Sequence, residues 1–405
     1  MVSFKIETKF WRNLALKIKS KIWSALVLIA VLAAFALLYV LAHPEKSEAP
    51  VHAGEYMEYE MAVVDQILTD STEEDPVSEY HHRGSQLLII TVTSGRYAGK
   101  QMMADNTVGP IYGQRFEPGD RVVAGLSTYS DGTVRCYVYE YDRLPGLLII
   151  LGAFLLITVL VGGRVGLKSL ISLALTVGAL IFVLLPLLLR GWPTIPTTFL
   201  VVVLVTVASF VILGGIDRKT VCACAGTLAG IALATVFGIL SQKILRIDGY
   251  RQEYAEALLQ LRQTGESGIG VTGLLTAGVI VGALGAVMDV AMSISSALQE
   301  VSRANESLNT RQLLRSGMNI GRDMVGTMTN TLILAILGSG FALVVYIYSL
   351  GLQPIQLLSS AYISLEAVSA LASSTGVMLA VPLTAVICAW VYGKKDMPQQ
   401  ESKAG

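Results

Sequence analysis

Charged residues are scarce in this chain. They make up 15% of its 405 residues, where a soluble domain carries about 25%. The formal net charge is +0, so no field of one sign points to nucleic acid. Four cysteines are too few for a disulfide scaffold in a chain this long. Cys222, Cys224 and Cys388 fall in apolar segments, and Cys136, in the one long polar region, reads as a free thiol in a strand. The Cys222-x-Cys224 pair lacks a visible third ligand, which leaves packing as the better reading over a metal role. There is no P-loop, no G-x-G-x-x-G turn, no H-E-x-x-H helix and no Ser–His pair. No catalytic residue, metal site or cofactor is assigned, and the chain is not read as an enzyme.

What is abundant is apolar sequence. Hydrophobic residues reach 53% and mean hydropathy is +0.60. About eight stretches approach the roughly 20 apolar residues that cross a hydrocarbon core. They run over residues 22–41, 144–161, 168–189, 197–213, 220–240, 269–298, 323–350 and 367–392. The fold class expected is therefore a polytopic α-helical membrane protein.

Basic residues set the expected orientation. Lys5, Lys9, Arg12, Lys17, Lys19 and Lys21 stand against one acid, Glu7, before the first span. A cytoplasmic N-terminus then puts Arg164 with Lys168, Arg218 with Lys219, Arg303 to Arg322, and Lys394 with Lys395 on the same side. One loop opposes this: residues 241–268 would lie outside yet carry Lys243, Arg246, Arg251 and Arg262. The first span (22–42) is longer than the 7–15 residues of a signal-peptide core, and reads as an uncleaved anchor. The layout expected is a basic N-terminus (1–21), this anchor, an extracytoplasmic domain (43–143), a seven-helix membrane core (144–393) and a cytoplasmic tail (394–405).

Residues 43–143 are rich in strand signals. "YEMAVVDQIL", "QLLIITVTS", "RVVAGLST" and "TVRCYVYEY" are separated by turn residues. Short strands at this spacing suggest a small barrel of the OB-like kind. No basic stripe with interleaved aromatics accompanies it, so nucleic acid is not an expected partner. His81 and His82 sit near Glu73, Glu74, Asp75 and Glu79, but lack ligand spacing and read as part of a solvated, mobile acidic loop.

The apolar core carries a few polar residues at helical spacing. In residues 220–240, Gly226, Gly230 and Gly238 recur at multiples of four, a pattern that lets helices approach closely. In residues 269–298, Gly278, Gly282, Gly285, Asp289, Ser293 and Ser296 share one helical face. The glycines are read as packing positions and the polar half as part of a pathway. In the next span Asp323, Thr327 and Asn330 share a face, with Thr331 and Gly338 beside them. Both aspartates are expected in the cytoplasmic half of the membrane, at similar depth. Glu366 follows an uncharged lead-in from Ile355 that could be re-entrant and draw the acid inward. Ion pairing with Arg311, Arg315 or Arg322 is the competing, structural reading of these acids.

The stretches "GVIVGALGAVMDVAMSISSAL" and "GMNIGRDMVGTMTNTLILAILG", with "GLKSLISL" and "AGTLAG" upstream, resemble the YibE/F-like family of bacterial multi-pass membrane proteins. The resemblance covers roughly residues 145–393, and the polar insert resembles that of the longer members. It implies a plasma-membrane location. It also implies a partner: a related shorter chain of the same family, or self-association. It supplies no reaction.

Three readings of function compete. Intramembrane acids default to function, and with Pro186, Pro193, Pro196 and Pro382 as helix breakers they favour a transporter or ion-coupled permease. In that reading Asp289, Ser293, Ser296, Asp323, Thr327, Asn330 and Glu366 line the path of a proton or cation. The alternative is a non-transporting envelope assembly or anchoring protein whose extracytoplasmic domain binds a partner. A membrane aspartyl enzyme would need two acids sharing a proton, but the "YD" and "GxGD" signatures are absent, which ranks this reading last.

Overall fold

The computed structural model describes residues 2–43, 56–76, 81–109, 111–129, 132–250, 255–265, 267–305 and 307–393, with side chains from residue 22 onward. Glu79, Arg251, Lys394, Lys395 and the side chains of the basic N-terminal cluster lie outside the described residues. The chain divides into two compact units: Lys46–Val161, and Met1–Glu45 with Gly162–Gly405.

The smaller unit is a closed sheet. Its strands are β1 (Tyr56–Asp70), β2 (Glu73–Glu74), β3 (His82–Val92), β4 (Gln101–Val108), β5 (Arg121–Thr128) and β6 (Val134–Tyr141). β1 pairs antiparallel with both β3 and β5. β3 pairs with β4, β5 pairs with β6, and a parallel β4–β6 pairing closes the ring. β1 can serve two neighbours because it is 15 residues long and its register against β3 shifts between Val64 and Gln66 and between Ile67 and Thr69. Such bulges bend a strand and increase its twist. Alternation sends Val64, Leu88, Ile90, Ala124, Leu126 and Cys136 inward, with Phe116 from a loop as the largest buried side chain. Burial, aided by the Asp105 charge, pushes the Cys136 thiol up to about 11, so it is an inert core residue.

β6 leads directly into helix α2 (Leu144–Ala179). Asp142 makes the junction. Its side chain is buried, accepts from the Leu144 N–H at 3.2 Å, and lies 3.3 Å from Arg121 Nε. Its own N–H donates to the Arg121 carbonyl.

The larger unit is helical. α1 is Val2–Ala42, and α2 continues through a widened π turn (Leu180–Leu184) into α3 (Leu185–Leu189). Then come α4 (Thr194–Gly214), α5 (Arg218–Leu245), α6 (Ala255–Gln263), α7 (Leu274–Ala304), α8 (Thr310–Ser339), α9 (Phe341–Ser349), α10 (Pro354–Leu358) and α11 (Ala361–Tyr392). α5, α7 and α11 pack on one another at the centre, with α8 against α11 and α7, α4 against α7, and α1 against α4. Ile231, Ile280, Val287, Ile294, Leu298 and Val381 fill the core.

Among the described residues six helical runs are long and apolar enough to cross a membrane, or seven if the bent pair α8–α9 is one span. The sequence led to about eight. The difference lies in residues 144–189, which form one 46-residue apolar helical run. At 1.5 Å per residue it would be roughly 69 Å long, more than twice a hydrocarbon core. Its break is at Gly163, with φ 53° and ψ −134°, a conformation open to glycine. The second break is at Gly340, where α8 and α9 bend by 61°. Glycines, not prolines, thus make the sharp breaks. Pro193 caps α4, Pro186 follows the π turn, and α11 runs through Pro382 without interruption.

Candidate functional site

The α7 helix begins five residues later than the apolar run and ends six residues beyond it. Asp289 therefore lies at its midpoint rather than near one end. α8 begins well before Asp323, because Asn309 and Gln312 form a capping box: Asn309 Oδ1 accepts the Gln312 N–H and Gln312 Oε1 the Asn309 N–H. Asp323 is thus also near mid-helix.

Asp289 is exposed, and so are Gly278, Gly282, Gly285 and Ser293, while Ser296 is half-buried. The stripe read from the spacing exists, but as an outer face. A Cβ on Gly278 or Gly285 would meet nothing within 4 Å, and one on Gly282 would meet only Ser373 Oγ, at 3.8 Å. Among the described residues Gly278 and Gly285 make no close helix crossing, and Gly282 meets α11 only at ordinary contact distance. Asp323, Thr327 and Asn330 are likewise exposed on one side of α8. Thr327 turns its hydroxyl back to the Asp323 and Met324 carbonyls.

α7 and α8 touch through other residues. Gly317 admits Leu298, with a would-be Cβ 2.9 Å from Leu298 Cδ1, and Gly321 admits Val381 of α11 and Ile294. Contact is apolar because α8 spends its small residues on that side and its polar ones on the other. Asp289 and Asp323 are consequently not brought together by this contact. Neither makes a hydrogen bond or ion pair among the described residues, and neither Arg311, Arg315 nor Arg322 forms a salt bridge there. The ion-pair reading of these acids has no support.

Glu366 is exposed on the second turn of α11. Its neighbours Leu365 and Val368 pack against Leu275, at the opposite end of α7 from Gln299. The lead-in from Ile355 folds as the short α10 and the start of α11, and Glu366 is not drawn into the interior.

The packed polar contacts of the helical unit involve residues the spacing did not select. Ser295, not Ser293 or Ser296, is buried, and donates to the Lys219 carbonyl at 2.7 Å. Gln299 donates to Asp217 Oδ2 at 2.9 Å, and Asp217 caps α5 by accepting the Arg218 N–H at 2.8 Å. These bonds, the Gln299 donor first, hold the Asp217 carboxyl below the usual carboxylate range. An Asp before "RKTV" is a legible N-cap signal; its partner 82 residues on is not. Cys222 lies beside Cys388 of α11, while Cys224 turns to Phe210 and Ala291. The C-x-C spacing therefore does not define a pair. Among the described residues no three His, Cys, Asp or Glu side chains cluster to hold a metal ion.

On the side of α5 that carries Cys222 the glycine pattern does coincide with a crossing, onto α11. A Cβ on Gly226 would fall 2.0 Å from Thr384 Oγ1, and one on Gly230 2.9 Å from Ala380 Cβ, whereas Gly238 has ordinary clearance.

A small closed β-barrel joined in sequence to a bundle of long apolar helices, with unpaired carboxylates at mid-helix, defines the class of this molecule. The family model of the YibE/F-like proteins matches residues 150–394. This is more than half of the chain, which belongs to that family. No curated protein matches, and no solved structure matches.

Proposed function

We propose that the protein is a multi-pass cell-membrane transporter or ion-coupled permease, with its termini in the cytoplasm and its barrel outside. Asp289, with Ser293 on the same face, is its proton or cation site, and Asp323, Thr327 and Asn330 form a separate polar face on α8 that the ion also follows. The observation that carries this reading is the state of Asp289. It is exposed at the midpoint of an apolar helix, on a face of glycine and serine, with no ion-pair partner among the described residues. A charged side chain at a bilayer centre costs about 3 kcal/mol even on insertion scales. Such a residue is retained where water, an ion or another chain reaches it. The test is charge movement in proteoliposomes on a solid-supported membrane under proton, sodium and potassium jumps. A current in the wild type that disappears in Asp289→Asn supports the reading; an undiminished current in the variant, or none in either, overturns it.

One observation favours a second reading, that of an envelope anchoring protein. Met57, Tyr59 and Tyr139 are each about half exposed on the outer face of β1 and β6, with Tyr59 and Tyr139 edge to face at 5.0 Å. Exposed aromatic patches mark interaction sites. The barrel reads as OB-like, with β2 set aside, because five strands in the order β1-β3-β4-β6-β5 close through one parallel pair. If anchoring is the role, removing Tyr59 and Tyr139 together abolishes function in cells while Asp289→Asn leaves it intact.

A further inference from the structure

The barrel has a cavity of about 440 Å³ at the end from which α2 departs. That is within the size range of small-ligand pockets. Three strand ends meet there. Val108, the last residue of β4, pairs with Gly84 near the start of β3, and Glu140 of β6 lies just before the β6–α2 junction. Among the described residues the charged and titratable lining is Arg115, Arg143, His81, His82 and Tyr112, with Glu140 as the one acid.

Each arginine is held by a carboxylate of its own, Arg115 by Asp70 and Arg143 by Glu140, and retains unused donors among the described residues. Arg115 directs Nε to Asp70 Oδ2 at 3.0 Å, and its two terminal nitrogens make no hydrogen bond among the described residues. Arg143 directs Nη1 to Glu140, and its Nε and Nη2 make no hydrogen bond among the described residues. A guanidinium with a fixed axis and unused N–H groups is suited to a phosphate oxygen pair.

The wall that carries Arg115 is built from inside the barrel. Gln86 and Asn106 are each 2% exposed. Gln86 accepts the Phe116 N–H at 2.9 Å and donates to the Phe116 carbonyl at 3.1 Å. Asn106 donates to Gln86 Oε1 and to the Gln114 carbonyl. Two buried amides thus fix the backbone on both sides of Arg115, and the cavity is preformed rather than a gap between loose loops.

The lip of the cavity is apolar. Ile111 is 91% exposed and Tyr112 59%. Tyr112 lies across Gly109, where a Cβ would stand 2.6 Å from its ring. Its backbone accepts the Gly109 N–H at 2.8 Å. An isoleucine this bare, beside a tyrosine, is costly in water and suited to a headgroup–acyl boundary. The chain itself marks that boundary. It turns from polar to apolar between Arg143 and Leu144, so an arginine of the cavity stands at the start of an apolar helix.

We infer that this cavity binds the phosphate of a phospholipid headgroup, with Arg115 and Arg143 as its charged ligands and Ile111 and Tyr112 in the bilayer interface. The inference takes α2 as a membrane span and is independent of what Asp289 does. A free phosphate has the same anchoring chemistry but no use for the apolar lip.

The test uses the full chain in an uncharged detergent, with calorimetric titration of dihexanoyl phosphatidylglycerol and, separately, of inorganic phosphate. The lipid binds saturably and about tenfold tighter than phosphate, and Arg115→Gln with Arg143→Gln weakens it about tenfold or more, as expected for charge-assisted hydrogen bonds. Ile111→Ser with Tyr112→Ser weakens lipid binding and leaves phosphate binding unchanged. Glu140→Gln removes the opposing charge and tightens both, a gain that misfolding cannot mimic. Equal affinity for the two probes, or a lip variant without effect, assigns the site to free phosphate and overturns the headgroup. The absence of saturable binding, or binding indifferent to the arginines and to Glu140, overturns the site itself.

Discussion

Gly230 and Gly376 face each other across the crossing of α5 and α11. A Cβ on Gly230 would stand 3.1 Å from the Gly376 carbonyl oxygen, and one on Gly376 3.3 Å from the Gly230 oxygen. Ala234 and Ala380 flank the contact, each within 3 Å of a would-be Cβ on the opposing glycine. The two backbones meet with no side chain between them, which is how small residues hold helices together where hydrophobic burial gives little drive.

Substitution there is expected to be structural in effect. Gly226→Val and Gly230→Val overpack the crossing and destabilise by about 1–3 kcal/mol. Gly278→Ala and Gly285→Ala enter open space and leave stability unchanged or slightly raised, since Ala is the better helix former. Thermal unfolding in detergent by size-exclusion monitoring ranks the four. A loss at Gly278 or Gly285 equal to that at Gly230 would show that a second chain covers the α7 face.

Asp217 ties the start of α5 to the end of α7 through Gln299. Asp217→Ala removes an N-cap, at a cost of about 1 kcal/mol, and Gln299→Leu a charge-assisted bond. The pH dependence has a definite sign. The folded carboxyl titrates below its ordinary value of 3.8, so the unfolded chain binds the proton more readily. The contribution is complete above pH 3.8 and fades as pH falls through the lower, folded value. Unfolding followed between pH 5 and pH 2 is expected to show an acid-side loss in the wild type that is smaller in Asp217→Ala. An identical slope in both would remove Asp217 from the account.

Periodicity and composition made the apolar helices and the strand-rich insert legible, because both signals are local. The spacing of Asp289 with Gly278, Gly282, Gly285 and Ser293 also defined a real helical face. What it could not define was which way the face points. A small-residue stripe looks the same whether it meets a helix, as Gly226 and Gly230 do, or open space, as Gly278 and Gly285 do. Apolar periodicity does not mark a helix end where polar sequence continues the helix. Asp323 looked like the start of a span, but the Asn309–Gln312 capping box starts α8 earlier. Gln299 with Asp217, and Cys222 with Cys388, are long-range pairs that no spacing rule reaches.

The buried amides of the barrel give a sharper mutational signal than its apolar core. Gln86 makes bonds to Asn106, Asp70 and both backbone polar groups of Phe116. Gln86→Leu keeps the volume but leaves the buried Phe116 N–H and carbonyl without their partner and Asn106 with its Gln114 bond alone, at about 1–3 kcal/mol for each unsatisfied group before relaxation. Limited proteolysis is expected to open the chain near Gln114 and Arg115 in this variant while the helical unit stays resistant. Cleavage no faster than in the wild type would mean that the loop is held by Phe116 burial alone.

On the proposed transport reading, Asp289 and Ser295 separate function from structure on a single helix. Asp289 is exposed and unpaired, so Asp289→Asn is expected to change thermal stability by no more than about 0.5 kcal/mol. Ser295 is buried and bonded to the Lys219 carbonyl, so Ser295→Ala costs about 0.5–1.5 kcal/mol while Ser293→Ala costs nothing measurable. Ion currents in proteoliposomes should show the reverse order. Asp289→Asn loses the current, Asp289→Glu retains a carboxylate and part of the current, and Ser295→Ala conducts like the wild type once folded. A destabilised Asp289→Asn would mean that the carboxylate has a partner in the assembled protein, and its loss of current would then say nothing about a proton or cation site.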